Sequence, residues 1–264
     1  MPPRRPFRVG IVGFGFIGRA LFERLAEDPS LEAAFVWNRS PERLAGLPAG
    51  LALADLAQAR DRRPDLIVEA CHPDVTQARG ADFLAVADTM PLSVAALADA
   101  GLERRLQVAA AEHGTRLLIP HGALMATDNL VEGRENWAEV IITFEKHPAA
   151  IDYSASGLAP DGTGRRVVFD GTARDIGRLF PRNVNTMVTC ALATVGLDRC
   201  RAVLISDPAL TLAIADIQAR GRDGSRLSLR KEQPMAGVSG TEMAASLLGS
   251  ILRAGGGRPV LDFV

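Results

Sequence analysis

Cysteine is scarce in this chain: Cys71, Cys190 and Cys200 are the only three in 264 residues. An odd number without C-x-x-C spacing excludes a disulfide framework and a zinc site as the organising principle, so free thiols in a reducing compartment are expected, and no metal. No apolar run reaches the roughly 18 residues that a membrane-spanning helix needs. The opening "MPPRRPFRVGIVGFGF" joins basic residues to an apolar run, but the run is glycine-rich and no small-residue cleavage site follows, so it does not read as a signal peptide. Neither sign of charge is in excess, with 30 Lys and Arg against 31 Asp and Glu. A polyanionic partner is therefore not expected, and the scattered arginines read as solvated surface. There is no internal repeat or low-complexity linker. The expectation is a cytoplasmic protein with no membrane and no nucleic-acid partner.

What is present is an alternation of short strands and helices. "FRVGIVGF" reads as a strand, "IGRALFERLAEDP" as a helix, and "LEAAFVWNR" and "RPDLIVEACHP" as further strands. "DVTQARGADFLAVADTM" supplies a helix and a strand, "SVAALADAGLERRLQVAAAEHG" one long helix, and "TRLLIPHGA" another strand. This rhythm predicts a parallel sheet covered on both faces. From about residue 122 it changes to strands with few helices between them: a mainly antiparallel layer with one helix, "NVNTMVTCALATVG". The fold class is thus α/β, a Rossmann-type domain (1–121, completed by a C-terminal helix in 239–264) plus a smaller α+β substrate and dimerisation domain (122–238).

Gly13, Gly15 and Gly18 form G-x-G-x-x-G between a strand and a helix. The first glycine permits the tight turn, the second lets backbone approach a pyrophosphate, and the third allows close helix–strand packing. With Phe16 and Ile17 they are the expected dinucleotide loop. An NAD-selective site places Asp or Glu at the end of the second strand. Here Asn38, Arg39 and Ser40 stand there. An amide, a guanidinium and a hydroxyl suit a 2′-phosphate, which predicts NADP(H) as the preferred cofactor with NAD(H) as the alternative.

Further stretches follow in order: "VEACHP" (68–73), "IPHGALMATD" (119–128), "KHP" (146–148), "LFPRNVNTM" (179–187) and "ISDPAL" (205–210). Together with the glycine loop they resemble the L-aspartate dehydrogenase family, including its animal aspartate-dehydrogenase-domain members. The resemblance covers nearly the whole chain, and "FPRNVN" is its most specific piece. It implies a homodimer and NAD(P)-dependent interconversion of an amino acid with its 2-oxo acid and ammonia. It places Ala70, Cys71, His72 and Pro73 beside the nicotinamide, and "FPRNVN", with Asn183, at the cofactor and substrate cleft. Gly122, Ala123, Asp128, Lys146, Arg182 and Asn185 match the family at positions without an assigned role. Relatives carry an acid/base histidine shortly after the "DP" motif. This chain has Ala213 or Ala215 there, and many relatives have serine where it has His121.

Reductive amination needs a group that moves protons near neutral pH, and imidazole serves without perturbation. Four histidines are available, none after His147. His113 precedes Gly114 at a helix end and reads as a cap. His72 either lines the nicotinamide pocket or points to solvent. His121 and His147 are the candidates for proton transfer, and Lys146 is either a carboxylate-binding charge or a surface residue. Arg165 and Arg166 read as a solvated hairpin end, and Asp207 as a turn residue. Two alternatives to the amino-acid reading are an imine reductase, which starts from a preformed iminium, and a dinucleotide-binding homologue of low turnover.

Overall fold

The computed structural model describes residues 5–160, 162–234 and 243–255. The chain divides into two compact units. One comprises the described residues within Met1–Ser93, Gly101–Pro120 and Met243–Val264; the other, Val94–Ala100 and His121–Glu242.

The first unit begins with β1 (Phe7–Val12), α1 (Phe16–Glu27) and β2 (Leu31–Trp37). β3 (Leu66–Glu69), α2 (Pro73–Leu84), β4 (Asp88–Pro91) and α3 (Ala100–His113) follow. Its four strands are all parallel, in the order β2-β1-β3-β4. β1 and β3 are nearly continuous apolar runs because both faces of the sheet are covered. On one face Val9, Ile11 and Val68 pack with Leu21 and Leu25 of α1. On the other, Val12, Phe35 and Ile67 pack with Leu53 and Phe83. α1 buries Gly18, Leu21 and Leu25, one helical stripe, and stops at Asp28 because Pro29 forces the residue before it into extended backbone.

The second unit contains α4 (Thr127–Glu132), β5 (Trp137–Lys146), β6 (Arg166–Thr172), α5 (Ala173–Leu179), α6 (Asn185–Ala193), β7 (Arg201–Ser206), β8 (Leu212–Gly221) and β9 (Arg226–Pro234). Its sheet runs β6-β7-β5-β8-β9. Only the β5–β7 pair is parallel, so the layer is mixed, with three antiparallel pairs around one crossover. Strand register sets Phe144 beside both Leu204 and Ala215, and Ile142 beside Ile217. These residues share one face, on which Val140, Ile142, Phe144, Leu204 and Ile217 are buried.

α7 (Met243–Gly255) then belongs to the first unit, where Leu247 and Ile251 join the cluster of Val9, Ile11 and Leu21. Residues 239–242 and 256–264 of the expected C-terminal helix lie outside the described residues.

Three expectations need correction. The long helix after Ser93 is broken: Val94–Ala98 is a separate 3₁₀ turn, wholly buried with the second unit, and α3 starts only at Ala100. Small apolar side chains let this turn pack closely; the methyl of Ala98 lies where a side chain on Gly177 of α5 would stand. "TRLLIPHGA" makes a single parallel bridge, Leu117 to Thr89, and not a strand, because Pro120 removes the next donor. Finally, α4 and α5 accompany the one helix expected in the second unit; six or seven residues are too few to show a helical period.

Candidate active site

The carboxyl ends of β1, β2 and β3 carry the glycine loop, the Asn38–Ser40 segment and the Ala70–Pro73 segment. This is the edge of an open parallel sheet where ligands bind. Gly13 has φ +107°, and a Cβ there would stand 2.5 Å from the Ala70 carbonyl oxygen and 2.5 Å from the Cys71 sulfur. A Cβ on Gly18 would run into the Gly13 carbonyl, so α1 can approach β1 only without a side chain. Gly15 differs: its backbone is extended, and a Cβ would meet nothing within 4 Å. Neither strain nor a protein neighbour requires glycine there, whereas a phosphate drawn to the helix start would. No side chain caps α1, and no acid occupies its first turn. Its N–H groups and positive dipole end suit the pyrophosphate of a dinucleotide. Beside the loop, Phe16 is 85% exposed, and Ile17 packs against the core.

The Asn38 amide faces the loop. Its Oδ1 accepts from the Phe14 N–H at 3.0 Å and its Nδ2 donates to the Ser40 carbonyl at 3.1 Å. Asn38 therefore fastens the glycine loop to the end of β2, using one acceptor and one donor position of its amide. Arg39 is exposed and has no hydrogen-bond or ion-pair partner among the described residues. Ser40 is half-buried and leads into the Pro41–Leu44 turn.

After β3, Ala70 is half-buried and Cys71 turns its sulfur inward to donate to the Val12 carbonyl at 3.1 Å. Burial, reinforced by nearby Glu69, pushes the Cys71 thiol up to about 12, which removes it as a nucleophile. His72 is the N-cap of α2: its Nδ1 accepts from the Asp74 N–H at 3.4 Å, and its ring is largely exposed. Pro73 opens the helix.

The second unit gathers a different set. Lys146 ends β5 on the same face as Phe144. Its ammonium donates to the Asn183 carbonyl at 3.3 Å and lies 5.2 Å from the Phe144 ring centroid. It forms no ion pair among the described residues, and burial pulls its pKa down to about 8. Asn183 is buried, with Oδ1 accepting from the Asp152 N–H (2.9 Å) and Nδ2 donating to the Ala150 carbonyl (3.1 Å). Arg182 pairs with Asp152 at 2.9 Å, and Asn185 accepts from the Ala95 N–H at 2.9 Å. Asn183 and Asn185 thus fasten backbone within this unit, and Arg182 makes an exposed ion pair. His147 caps the turn that follows β5, its Nδ1 accepting from the Ala149 N–H at 3.1 Å. His121 is half-buried in the turn before α4, with Nε2 3.8 Å from Asp128, beyond hydrogen-bond reach.

The comparisons bear on the whole chain. The model of the aspartate dehydrogenase C-terminal family matches residues 128–254, and that of the homoserine dehydrogenase NAD-binding domain matches 13–120. L-aspartate dehydrogenase 1 of Bordetella pertussis is 37% identical, over 93% of this chain and 96% of that one. An aspartate dehydrogenase domain-containing protein of Danio rerio is 32% identical over 97% and 99%. The chain belongs to the aspartate dehydrogenase family. The crystal structure of the Thermotoga maritima aspartate dehydrogenase shares its fold, with TM-score 0.74, 23% identity and 98% and 99% of the two chains covered.

As an aspartate dehydrogenase family member the chain is an NAD(P)-dependent oxidoreductase. Ala215 sits on β8 beside Phe144, on the face that carries Lys146, and Ala213 lies two residues before it. Three residues went unread in the sequence. Glu69 is a buried carboxylate at the cofactor edge that accepts from Cys71 N–H (2.6 Å), Thr76 Oγ1 (2.8 Å), and both N–H and hydroxyl of Ser93. Burial raises its pKa even against these four donors. Ser206, set beside Lys146 in the β5–β7 register, and Tyr153 are buried with hydroxyls that have no partner among the described residues. Only the last of the three carried a signal, as the single tyrosine of the chain.

Proposed function

We propose that the chain interconverts an amino acid of the aspartate type and its 2-oxo acid plus ammonia, with NADP(H) as preferred cofactor. The cofactor, when bound, supplies or removes the hydride. The substrate class is supported by relatives named L-aspartate dehydrogenase along nearly the full chain. The observation that carries cofactor binding is Gly15: an uncapped helix start where a side chain would fit the protein yet none is present. NADP(H) is favoured by Arg39, a guanidinium unpaired among the described residues, at the end of β2 where a carboxylate would select NAD(H). The assembly is a homodimer and the compartment the cytoplasm. The family resemblance supports the first, and the three free cysteines support the second.

An imine reductase is the second reading. It is favoured by the alanines at 213 and 215, since a preformed iminium needs no group to assemble the carbinolamine. Fluorescence titration with NADPH and NADH, followed by initial rates with oxaloacetate plus ammonium and with cyclic imines, tests both readings. Tighter NADPH binding and a rate only with oxaloacetate plus ammonium support the first. Equal affinities refute the cofactor preference, and turnover confined to imines refutes the substrate.

A further inference from the structure

We propose that Lys146 is the proton carrier of the C–N chemistry, an inference that rests on the amino-acid reading above. The geometry comes first. Lys146 ends β5 on the buried face of the second sheet. Its ammonium donates to one neutral carbonyl, that of Asn183, and it faces no pairing carboxylate among the described residues. An ammonium with one neutral acceptor keeps two donors for a ligand. Register sets Ser206 beside it, wholly buried with an unpartnered hydroxyl. Such a group is unfavourable unless something bonds to it. A substrate oxygen or the departing water would accept from the Lys146 ammonium, with the Ser206 hydroxyl enclosed beside it. Ala215, one residue pair away beside Phe144, offers no competing acid or base.

Residue choice points the same way. Of 30 lysines and arginines only two, Lys146 and Lys231, are lysines. A guanidinium does not release its proton near neutral pH, whereas a desolvated amine does, and Lys146 is half-buried with its ammonium against Phe144. The burial that lowers Lys146 to about 8 brings it to the range in which a group both gives and takes protons. The other charged groups near this end of the sheet are Arg166, which the β6–β7 register sets beside Ser206, the Glu145–Arg165 pair, His147 in the adjoining turn, Asp207 after β7, Lys231 opposite Ala215, and the Asp152–Arg182 pair next to Asn183.

Ammonia adds to the carbonyl carbon of the 2-oxo acid, the carbonyl π pair moves to oxygen, and that oxygen takes a proton from the Lys146 ammonium. The resulting amine removes a proton from the added nitrogen, which leaves a carbinolamine. The Lys146 ammonium then gives its proton to the hydroxyl, which departs as water while the nitrogen lone pair closes the C=N bond. The iminium accepts hydride at carbon, and Lys146 recovers its proton from solvent.

Two lysines make the test direct. In protein labelled with ¹³C at lysine Cε, the signal lost in Lys146→Met should titrate near pH 8 in the unaltered chain without cofactor. Titration above pH 10 overturns the proposal. In kinetics, Lys146→Met should lower kcat for oxaloacetate amination by about 10²–10⁴-fold, while NADPH affinity and the circular dichroism spectrum stay unchanged. Lys146→Arg keeps the charge and should be equally slow, without the pH limb near 8. A Lys146→Met protein within tenfold of the unaltered one overturns this inference alone. If the unaltered protein aminates no 2-oxo acid, the functional reading fails and this one with it.

Discussion

The Lys146 ammonium lies 3.3 Å from the main-chain oxygen of Asn183, while the Asn183 side chain holds Ala150 and Asp152. One buried asparagine thus ties the acceptor of the lysine to the segment that follows β5. Asn183→Ala removes the partners of the Asp152 N–H and the Ala150 carbonyl, both part-buried. Each such group costs about 1–3 kcal/mol. Denaturant unfolding should show a loss in that range, with kcat falling more than NADPH affinity. Unchanged stability would mean that the two hydrogen bonds are not made in solution.

The pH dependence has opposite signs in the two directions. Amination needs Lys146 protonated, so its rate, corrected for free ammonia, should fall as pH rises through about 8. Deamination needs the neutral amine and should rise through the same range. Initial rates from pH 6.5 to 9.5 check this, and parallel profiles in both directions would contradict it.

The glycine loop separates binding from folding. Gly15→Val meets no neighbour and sits at a φ of −85°, so the protein should fold and lose NADP(H). Gly13→Ala puts a Cβ 2.5 Å from the Ala70 oxygen at a φ of +107°, so it should lower the melting temperature even without cofactor. Thermal melts and NADPH titration of both variants distinguish the two roles.

Arg39→Ala should weaken NADPH by roughly ten- to a hundredfold, the worth of a charged hydrogen bond, and leave NADH unchanged. Asn38→Asp should weaken both cofactors. A carboxylate still accepts from Phe14 N–H but repels the Ser40 carbonyl to which Asn38 now donates. Titration of the two variants with each cofactor reads this directly.

Glu69 makes a stability prediction. Its folded pKa is raised above the ordinary 4.5, so the folded state binds more protons than the unfolded state above that pH. The stability it contributes is full below the unfolded value and is lost as pH rises through the folded one. Relative to Glu69→Gln, the unaltered protein should be more stable at pH 4.5 than at pH 7 by denaturant melts. A difference that does not change with pH would contradict the raised value.

The first sheet was legible because buried parallel strands are continuous apolar runs and because glycine spacing records backbone constraints directly. The G-x-G-x-x-G motif could be read residue by residue, since each glycine answers to a contact or to a space. The second unit was less legible: β5 pairs parallel with β7 across two helices, and α4 and α5 are too short for a helical period. The sequence sets Asn38 at the end of β2, and the family resemblance sets Asn183 at the cleft. Sequence cannot show where an amide's two ends find partners, and both turned out to hold backbone. Lys146 was legible as a candidate, but its perturbation comes from burial, which only the packed sheet defines.

The most direct test of the functional account is isotope transfer. The protein is incubated with oxaloacetate, ¹⁵N-ammonium and NADPH, and ¹⁵N-aspartate is quantified against NADPH consumed. The account predicts one ¹⁵N-aspartate per NADPH oxidised. NADPH oxidation without nitrogen incorporation, or no oxidation with bound NADPH, would contradict it.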